Sequence, residues 1–210
     1  MRKANSSPQC DSAREFASQE RYLHLQLHAH VQDLSFPAYC LLIRLLLSRS
    51  GYSTVRNVGH GATRKCTGEG GLDLLAFSHT DLSTTLCAVQ VKQLRHAIPR
   101  RFVDELRGLS LRSGCCQGLI FATSNFSVPA KEAAGERGLC PVRLIDGTAL
   151  TQMLFERRLG LRPLSPKASD GDSEVWVFDP LFFETLEARA KRTKAGQPKV
   201  GGAKPKSNLS

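Results

Sequence analysis

The chain has 210 residues, of which 41% are hydrophobic and 23% are charged. This composition is typical of a globular protein and argues against a fibrous or wholly disordered chain. The formal net charge of +10 favours a polyanionic partner, although seven basic and no acidic residues lie between Arg189 and the C-terminus. The seven cysteines are scattered without a Cys-x-x-Cys pair, which argues against a zinc site and a disulfide framework.

The sequence predicts a soluble protein with no membrane partner. The basic N-terminus is not followed by the apolar core of a signal peptide. The most apolar run, Tyr39–Leu47, contains Arg44 and is too short to span a bilayer. Together with the cysteine pattern, this predicts a cytoplasmic location.

The first 34 residues are predicted to form a polar, partly disordered segment. Between residues 21 and 33, apolar and polar residues alternate, which favours a strand or an irregular lead-in. The three histidines of this stretch (His24, His28 and His30) are interpreted as part of a half-buried strand rather than as metal ligands.

A buried helix and a strand are predicted next. Ser35 and Pro37 are typical of a helix start, and the helix is expected to run to about Arg49. Its apolar residues are nearly continuous, which indicates burial against a sheet. Tyr52–Val58 is a candidate strand.

A glycine-rich segment, Gly59–Gly71, follows this strand and contains Arg64, Lys65 and Glu69. Glycine permits unusual backbone dihedrals, so such a loop can approach a DNA backbone closely. Arg64 and Lys65 are therefore candidate DNA contacts. The segment lacks a Gly-Lys-Ser/Thr ending, so it is not an NTP-binding loop.

Two apolar strands joined by turn-forming residues predict a hairpin between residues 72 and 92. If the midpoint of the connection falls just after Asp81, antiparallel pairing places Asp73 opposite Gln90. Gln90 and Lys92 then share one face, because side chains alternate along a strand. The predicted hairpin thus brings an acid, an amide and an ammonium together.

This combination suits hydrolysis of a phosphodiester. Asp73 and the Gln90 amide oxygen offer the oxygen ligands that Mg²⁺ prefers, and a metal-bound water is a better nucleophile. Lys92 can orient that water or neutralise a phosphate oxygen. The alternative is an ordinary ion pair between Asp73 and Lys92 on a solvated hairpin face.

An amphipathic helix is predicted over Ile98–Arg112, and it carries several arginines, among them Arg100 and Arg101. These two are candidate contacts to DNA phosphates, and a solvated helix face is the alternative.

Gly118–Thr123 is predicted as a buried strand, and Ser127 as the cap of a helix that ends near Arg137. The N–H groups at a helix start attract phosphate, so Thr123 and Ser124 are candidate DNA contacts. A plain helix cap is the alternative.

After β-type residues at Val142–Ile145, which predict a strand, Asp146 is predicted to cap a closing helix at Thr148–Arg157. A linker is predicted at Leu159–Asp172, an extra strand at Glu174–Phe178 and an extra helix at Pro180–Arg192. A basic disordered tail follows.

Four motifs in order carry a resemblance to a known family: Gly68–Asp73, Gln90–Lys92, Gly118–Ser127 and Leu144–Leu150. The chain from residue 35 to 157 resembles the Mrr-type branch of the PD-(D/E)xK nucleases. The resemblance implies an α/β restriction-endonuclease-like core, with a mixed β-sheet flanked by helices on both faces. It also implies metal binding by Asp73 and Gln90 and a catalytic role for Lys92.

The chain departs from the family at one position. The first core helix of the family usually carries a Phe-Glu pair whose carboxylate assists the metal site. Counting back from Gly51 places Tyr39 and Cys40 there, so this carboxylate is missing. Glu69 is a candidate replacement.

The resemblance implies a Mg²⁺-dependent endonuclease of restriction or defence type that cleaves double-stranded DNA, with Mn²⁺ as an alternative ion. A homodimer is expected for double-strand cleavage, and a separate specificity partner is an option because the segment before the core is short. A repair or junction-resolving nuclease and an inactive DNA-binding module remain open. The expected organisation is an N-terminal segment (residues 1–34), the nuclease domain (35–157), a linker with an extra strand and helix (158–193) and a basic tail (194–210).

Overall fold

The computed structural model describes residues 8–57, 71–79, 83–137, 139–164 and 175–195. Its helices are α1 (Pro8–Asp33), α2 (Phe36–Arg49), α3 (Arg101–Arg112), α4 (Val128–Gly135), α5 (Gly147–Glu156) and α6 (Pro180–Ala195). Its strands are β1 (Tyr52–Asn57), β2 (Leu74–His79), β3 (Thr84–Lys92), β4 (Gln117–Ala122), β5 (Val142–Ile145), β6 (Leu161–Pro163) and β7 (Trp176–Phe178).

The main sheet has the strand order β1-β2-β3-β4-β5. The strands β1, β2 and β3 pair antiparallel, whereas β3, β4 and β5 pair parallel. Parallel neighbours need a crossover, and α3 and α4 supply the two crossovers here. The mixed sheet expected from the sequence is therefore confirmed.

Helices cover both faces of this sheet. On one face, Val89 and Val91 of β3 belong to a core that also contains buried residues of α1, α2, α5 and α6. On the other face, Ala88 and Ile120 belong to a second core with α3 and α4. Buried strands with apolar residues on both faces are typical of the parallel part of an α/β sheet. The predicted α/β arrangement with helices on both faces is confirmed.

The strand or irregular lead-in predicted for residues 21–33 is wrong, because these residues belong to α1. Leu23, Leu27 and Val31 are buried at the spacing of one helix face, while the intervening Leu25 is 62% exposed. His28 of this helix contacts the Thr151 hydroxyl of α5, with 3.3 Å between Nδ1 and Oγ1. In the parts of the chain that the structure describes, no three His, Cys, Asp or Glu side chains form a metal-binding group.

Two predicted helix caps are confirmed by their hydrogen bonds. The Ser127 hydroxyl accepts from the Ala130 N–H, and the Asp146 carboxylate accepts from the Ala149 N–H at 2.8 Å. Ser35 is the residue before α2, as predicted, but its hydroxyl donates to the Glu187 carboxylate instead of capping α2.

The C-terminal addition differs from the predicted linker. β6 lies inside the stretch expected to be a linker and pairs antiparallel with β7, while α6 follows. Phe183 and Leu186 of α6 are buried in the same core as α2. The basic tail after residue 195 lies outside the described residues. None of the helices in the described ranges is long and apolar enough to cross a membrane.

Candidate active site

Asp73 and Gln90 come together through the register of the β2–β3 hairpin. Leu74 pairs with Val89, so continuing the register by one step sets Asp73 against Gln90, as the turn position predicted. The Asp73 N–H donates to the Val89 carbonyl, and its carboxylate accepts the Val91 N–H at 2.8 Å. Asp73 is thus held rigidly at the entry to β2, and only 5% of it is exposed.

Gln90 is fully buried, and its amide is held in one orientation. The Nε2 group donates to the Gly71 carbonyl at 3.0 Å. The Oε1 atom has no hydrogen-bond partner among the described residues. A buried acceptor without a partner costs about 1–3 kcal/mol, so this oxygen is suited to a ligand that binds oxygen.

Lys92 lies on the same face of β3 as Gln90 and is buried as well. Its ammonium stands 4.3 Å from the centre of the Phe102 ring, a cation–π contact with the first turn of α3. Burial lowers the pKa of Lys92, and the Arg101 guanidinium acts in the same direction. The carboxylates of Asp73 and Glu105 raise this pKa and so favour the charged form.

The three side chains therefore form one buried polar group on the sheet face that α3 covers. A carboxylate and a carbonyl-type oxygen are the ligands that hard divalent cations prefer. The donor set and the unpartnered Gln90 oxygen fit such an ion, because its charge would satisfy an acceptor that the described residues leave unsatisfied. The reading of Asp73 and Lys92 as a solvated surface pair is wrong, since neither is exposed.

Three predicted site residues, Glu69, Arg64 and Lys65, lie outside the described residues. Their roles stay predictions. Tyr39 and Cys40, at the position of the missing carboxylate, are buried in α2.

Thr123 and Ser124 follow β4 and hold the loop that comes after β3. The Thr123 hydroxyl donates to the Leu94 carbonyl, and the Ser124 hydroxyl donates to the His96 carbonyl at 2.7 Å. Both line a polar cavity of about 560 Å³ at the carboxyl ends of β3 and β4, together with Arg95. Their contact with DNA stays a prediction, and the structure adds that they position a loop next to Lys92.

The arginines of α3 differ in their surroundings. Arg100 precedes α3 and forms ion pairs with Asp104 and Glu136 at 3.1 and 3.0 Å. Arg101 is exposed, with its guanidinium 4.8 Å from the centre of the Phe102 ring. Arg107 of the same helix is buried and donates to the carbonyls of Cys140 and Ala133. It joins α3 to α4.

The sequence did not identify Glu105 as a site residue. It is a half-buried acid of α3 that raises the pKa of Lys92. The amphipathic pattern located the helix but did not show which flank faces the hairpin. The signal that was present is its spacing of three residues from Phe102, which places both on adjacent turns of one side.

Comparison with known proteins agrees with the fold. The sequence profile of the Mrr catalytic domain, described as a restriction endonuclease, matches residues 31–154. No curated protein matches the chain.

Two solved structures are similar. The MspJI restriction endonuclease in complex with a 27-mer oligonucleotide has 19% sequence identity over 92% of this chain and 39% of that chain, with a TM-score of 0.47. The DNA modification-dependent restriction endonuclease AspBHI has 15% identity over 83% of this chain and 40% of that chain, with a TM-score of 0.51. The AspBHI likeness supports the fold alone. This chain spans about two fifths of the length of either protein.

Proposed function

Because this chain belongs to the restriction endonuclease family of the Mrr type, we propose that it is a divalent-metal-dependent endonuclease that hydrolyses phosphodiester bonds of double-stranded DNA. The observation that carries the proposal is the fully buried Gln90 oxygen, which has no hydrogen-bond partner among the described residues and lies beside the buried Asp73 and Lys92. A merely structural hairpin would gain nothing from burying the Gln90 oxygen in this way, because burial of a polar atom without a hydrogen bond is costly.

Asp73 and the Gln90 oxygen would hold the cation, with Mg²⁺ expected and Mn²⁺ as the alternative. The bound ion supplies a more acidic water and charge neutralisation at the phosphate. The Asp73 carboxylate is oriented by the Val91 N–H, and the Gln90 oxygen by the bond from Nε2 to the Gly71 carbonyl. Lys92 is the residue for orienting the attacking water or neutralising a phosphate oxygen.

Lys92 is suited to this role because its surroundings exclude bulk water. The Phe102 ring covers the Lys92 ammonium. The positive charge of Lys92 would therefore act on a phosphate oxygen with less screening than at a surface. DNA contacts are proposed for Arg64, Lys65, Arg100, Arg101, Thr123 and Ser124, and assistance at the metal for Glu69.

The test is cleavage of supercoiled plasmid with Mg²⁺, Mn²⁺ or EDTA. Asp73→Asn and Lys92→Met keep the size of each side chain and should each lower the rate by about a hundredfold or more, as expected for loss of a group that stabilises the transition state. Asp104→Asn is the matched control, because Asp104 is an exposed acid paired with Arg100. DNA binding by the wild type without cleavage under every ion would overturn the nuclease proposal and favour a binding module.

We infer a role in restriction or defence, and the same assay can separate it from repair. Preference between methylated and unmethylated plasmids supports defence, whereas cleavage confined to branched or flapped DNA supports a repair or junction-resolving nuclease. Cutting both strands requires two sites, so a homodimer is expected. A sedimentation experiment that finds only monomer on DNA would count against it and would favour a separate specificity partner.

A further inference from the structure

We propose that Glu105 is the second acidic residue of this site and takes over, from α3, the place of the carboxylate that Cys40 lacks in α2. The inference rests on the proposed metal-dependent function. Glu105 is a positioning residue in this scheme: its carboxylate would add negative charge close to Asp73 and Gln90 and thereby strengthen binding of the cation.

The position of Glu105 along the direction of β3 follows from its neighbours in α3. Phe102 stands at the level of Lys92, because the Lys92 ammonium is 4.3 Å from its ring centre. Leu106 stands at the level of Gly118, where an added Cβ would lie 2.9 Å from its Cδ2 atom, and Gly118 pairs with Ala88. Glu105 lies between these two levels.

That intermediate level is the level of Gln90. Ala88, Gln90 and Lys92 follow one another on the same face of β3, with Gln90 in the middle. Because α3 runs against the direction of β3, the helix residue between Phe102 and Leu106 passes over Gln90.

The direction of Glu105 follows from Arg107. Arg107 reaches toward α4 and the start of β5, where it donates to the carbonyls of Ala133 and Cys140. Glu105 precedes it by two residues, so it lies about 160° away around the helix axis. It therefore faces the opposite side, toward β2, at whose entry Asp73 lies.

Charge favours the same assignment. Two cations, Lys92 and Arg101, lie over the Phe102 ring at 4.3 and 4.8 Å from its centre. Glu105, one turn further along α3, is half-buried. Its carboxylate raises the pKa of Lys92, whereas burial lowers it. A carboxylate at this position offsets positive charge and adds negative charge next to Asp73, which favours a divalent cation.

Calorimetric titration of the 210-residue chain with Mn²⁺ alone tests the proposal without relying on activity. Glu105→Gln should weaken Mn²⁺ binding about tenfold, the lower end of the effect of removing an outer partner of a metal site. Glu105→Asp should retain part of the affinity. Asp104→Asn, the neighbouring exposed acid, should leave it unchanged, and thermal melts should show that the variants fold.

The outcomes separate this inference from the proposed function. If Asp73→Asn abolishes Mn²⁺ binding while Glu105→Gln binds like the wild type, Glu105 has no role and the metal-dependent function stands. If Glu69→Gln weakens binding and Glu105→Gln does not, the second acid is Glu69 and the inference is wrong. If the wild type binds no Mn²⁺ or Mg²⁺, both proposals fail.

Discussion

Tyr39 is fully buried in α2, and its hydroxyl has no hydrogen-bond partner among the described residues. Burial raises its pKa, so the phenol is neutral at any physiological pH. An unsatisfied buried hydroxyl costs about 1–3 kcal/mol. The resemblance places a phenylalanine of the family at this position, and the hydroxyl brings no visible gain in stability.

We expect Tyr39→Phe to raise the free energy of unfolding by about 1 kcal/mol, because it removes the unsatisfied hydroxyl and keeps the ring. Tyr52→Phe is the matched control, since the Tyr52 hydroxyl has a contact with the Cys87 thiol at 3.9 Å and should give no gain. Chemical denaturation measures both. A destabilised Tyr39→Phe protein would mean that the hydroxyl has a partner, such as a buried water.

At the scale of the element, close packing at the junction of β5 and α5 explains why a glycine, Gly147, begins α5. A Cβ at Gly147 would lie 2.5 Å from the Thr123 carbonyl oxygen and 2.8 Å from the His28 ring. The first turn of α5 therefore approaches the backbone that leaves β4 more closely than any side chain allows. This approach also fixes the residues next to the proposed site, since the Thr123 N–H donates a hydrogen bond to the Lys92 carbonyl.

Two glycine substitutions should thus have opposite effects. Gly147→Ala should destabilise the protein by about 1–3 kcal/mol, because backbone must move to accommodate the methyl group. Gly108→Ala, inside α3 with open space around the position, should stabilise it by up to about 1 kcal/mol through helix propensity. Melting temperatures measure both, and a stable Gly147→Ala protein would contradict the close packing of α5.

The elements differ in how far the sequence determines them. The β2–β3 hairpin could be predicted with its register because side-chain alternation and the position of the turn agree. α1 could not, because Leu23, Leu25 and Leu27 fit a strand as well as a helix until the partner surface is known. β6 has only three residues in a proline- and glycine-rich stretch, and its pairing with β7 depends on contacts distant in sequence.

At the scale of the whole molecule, predicting the proposed site requires both the local sequence pattern and the packing of distant elements. Gln90 and Lys92 share a face through the strand period alone, so the sequence was sufficient for that grouping. The placement of Glu105 toward the hairpin and the burial of Arg107 depend on how α3 is rotated on the sheet. That rotation is set by packing of the second core, which no local pattern specifies.

The C-terminal addition is part of the main core and is not a separate appendage. Phe183 of α6 is 4% exposed, and its ring fills the space beside Gly160, where a Cβ would lie 2.7 Å from it. The Ser35 N–H and hydroxyl both donate to the Glu187 carboxylate, which joins α6 to the start of α2. The nuclease core and the addition should therefore unfold together.

We expect Phe183→Ala to lower the stability of the whole protein by about 3–5 kcal/mol, because it leaves a cavity in the core shared by α1, α2 and β3. Leu181→Ala in the same helix should have almost no effect, since Leu181 is 66% exposed. Calorimetric melts should show one transition that shifts as a unit. A second transition at low temperature, or an unchanged melt of Phe183→Ala, would instead show that α6 folds independently of the nuclease core.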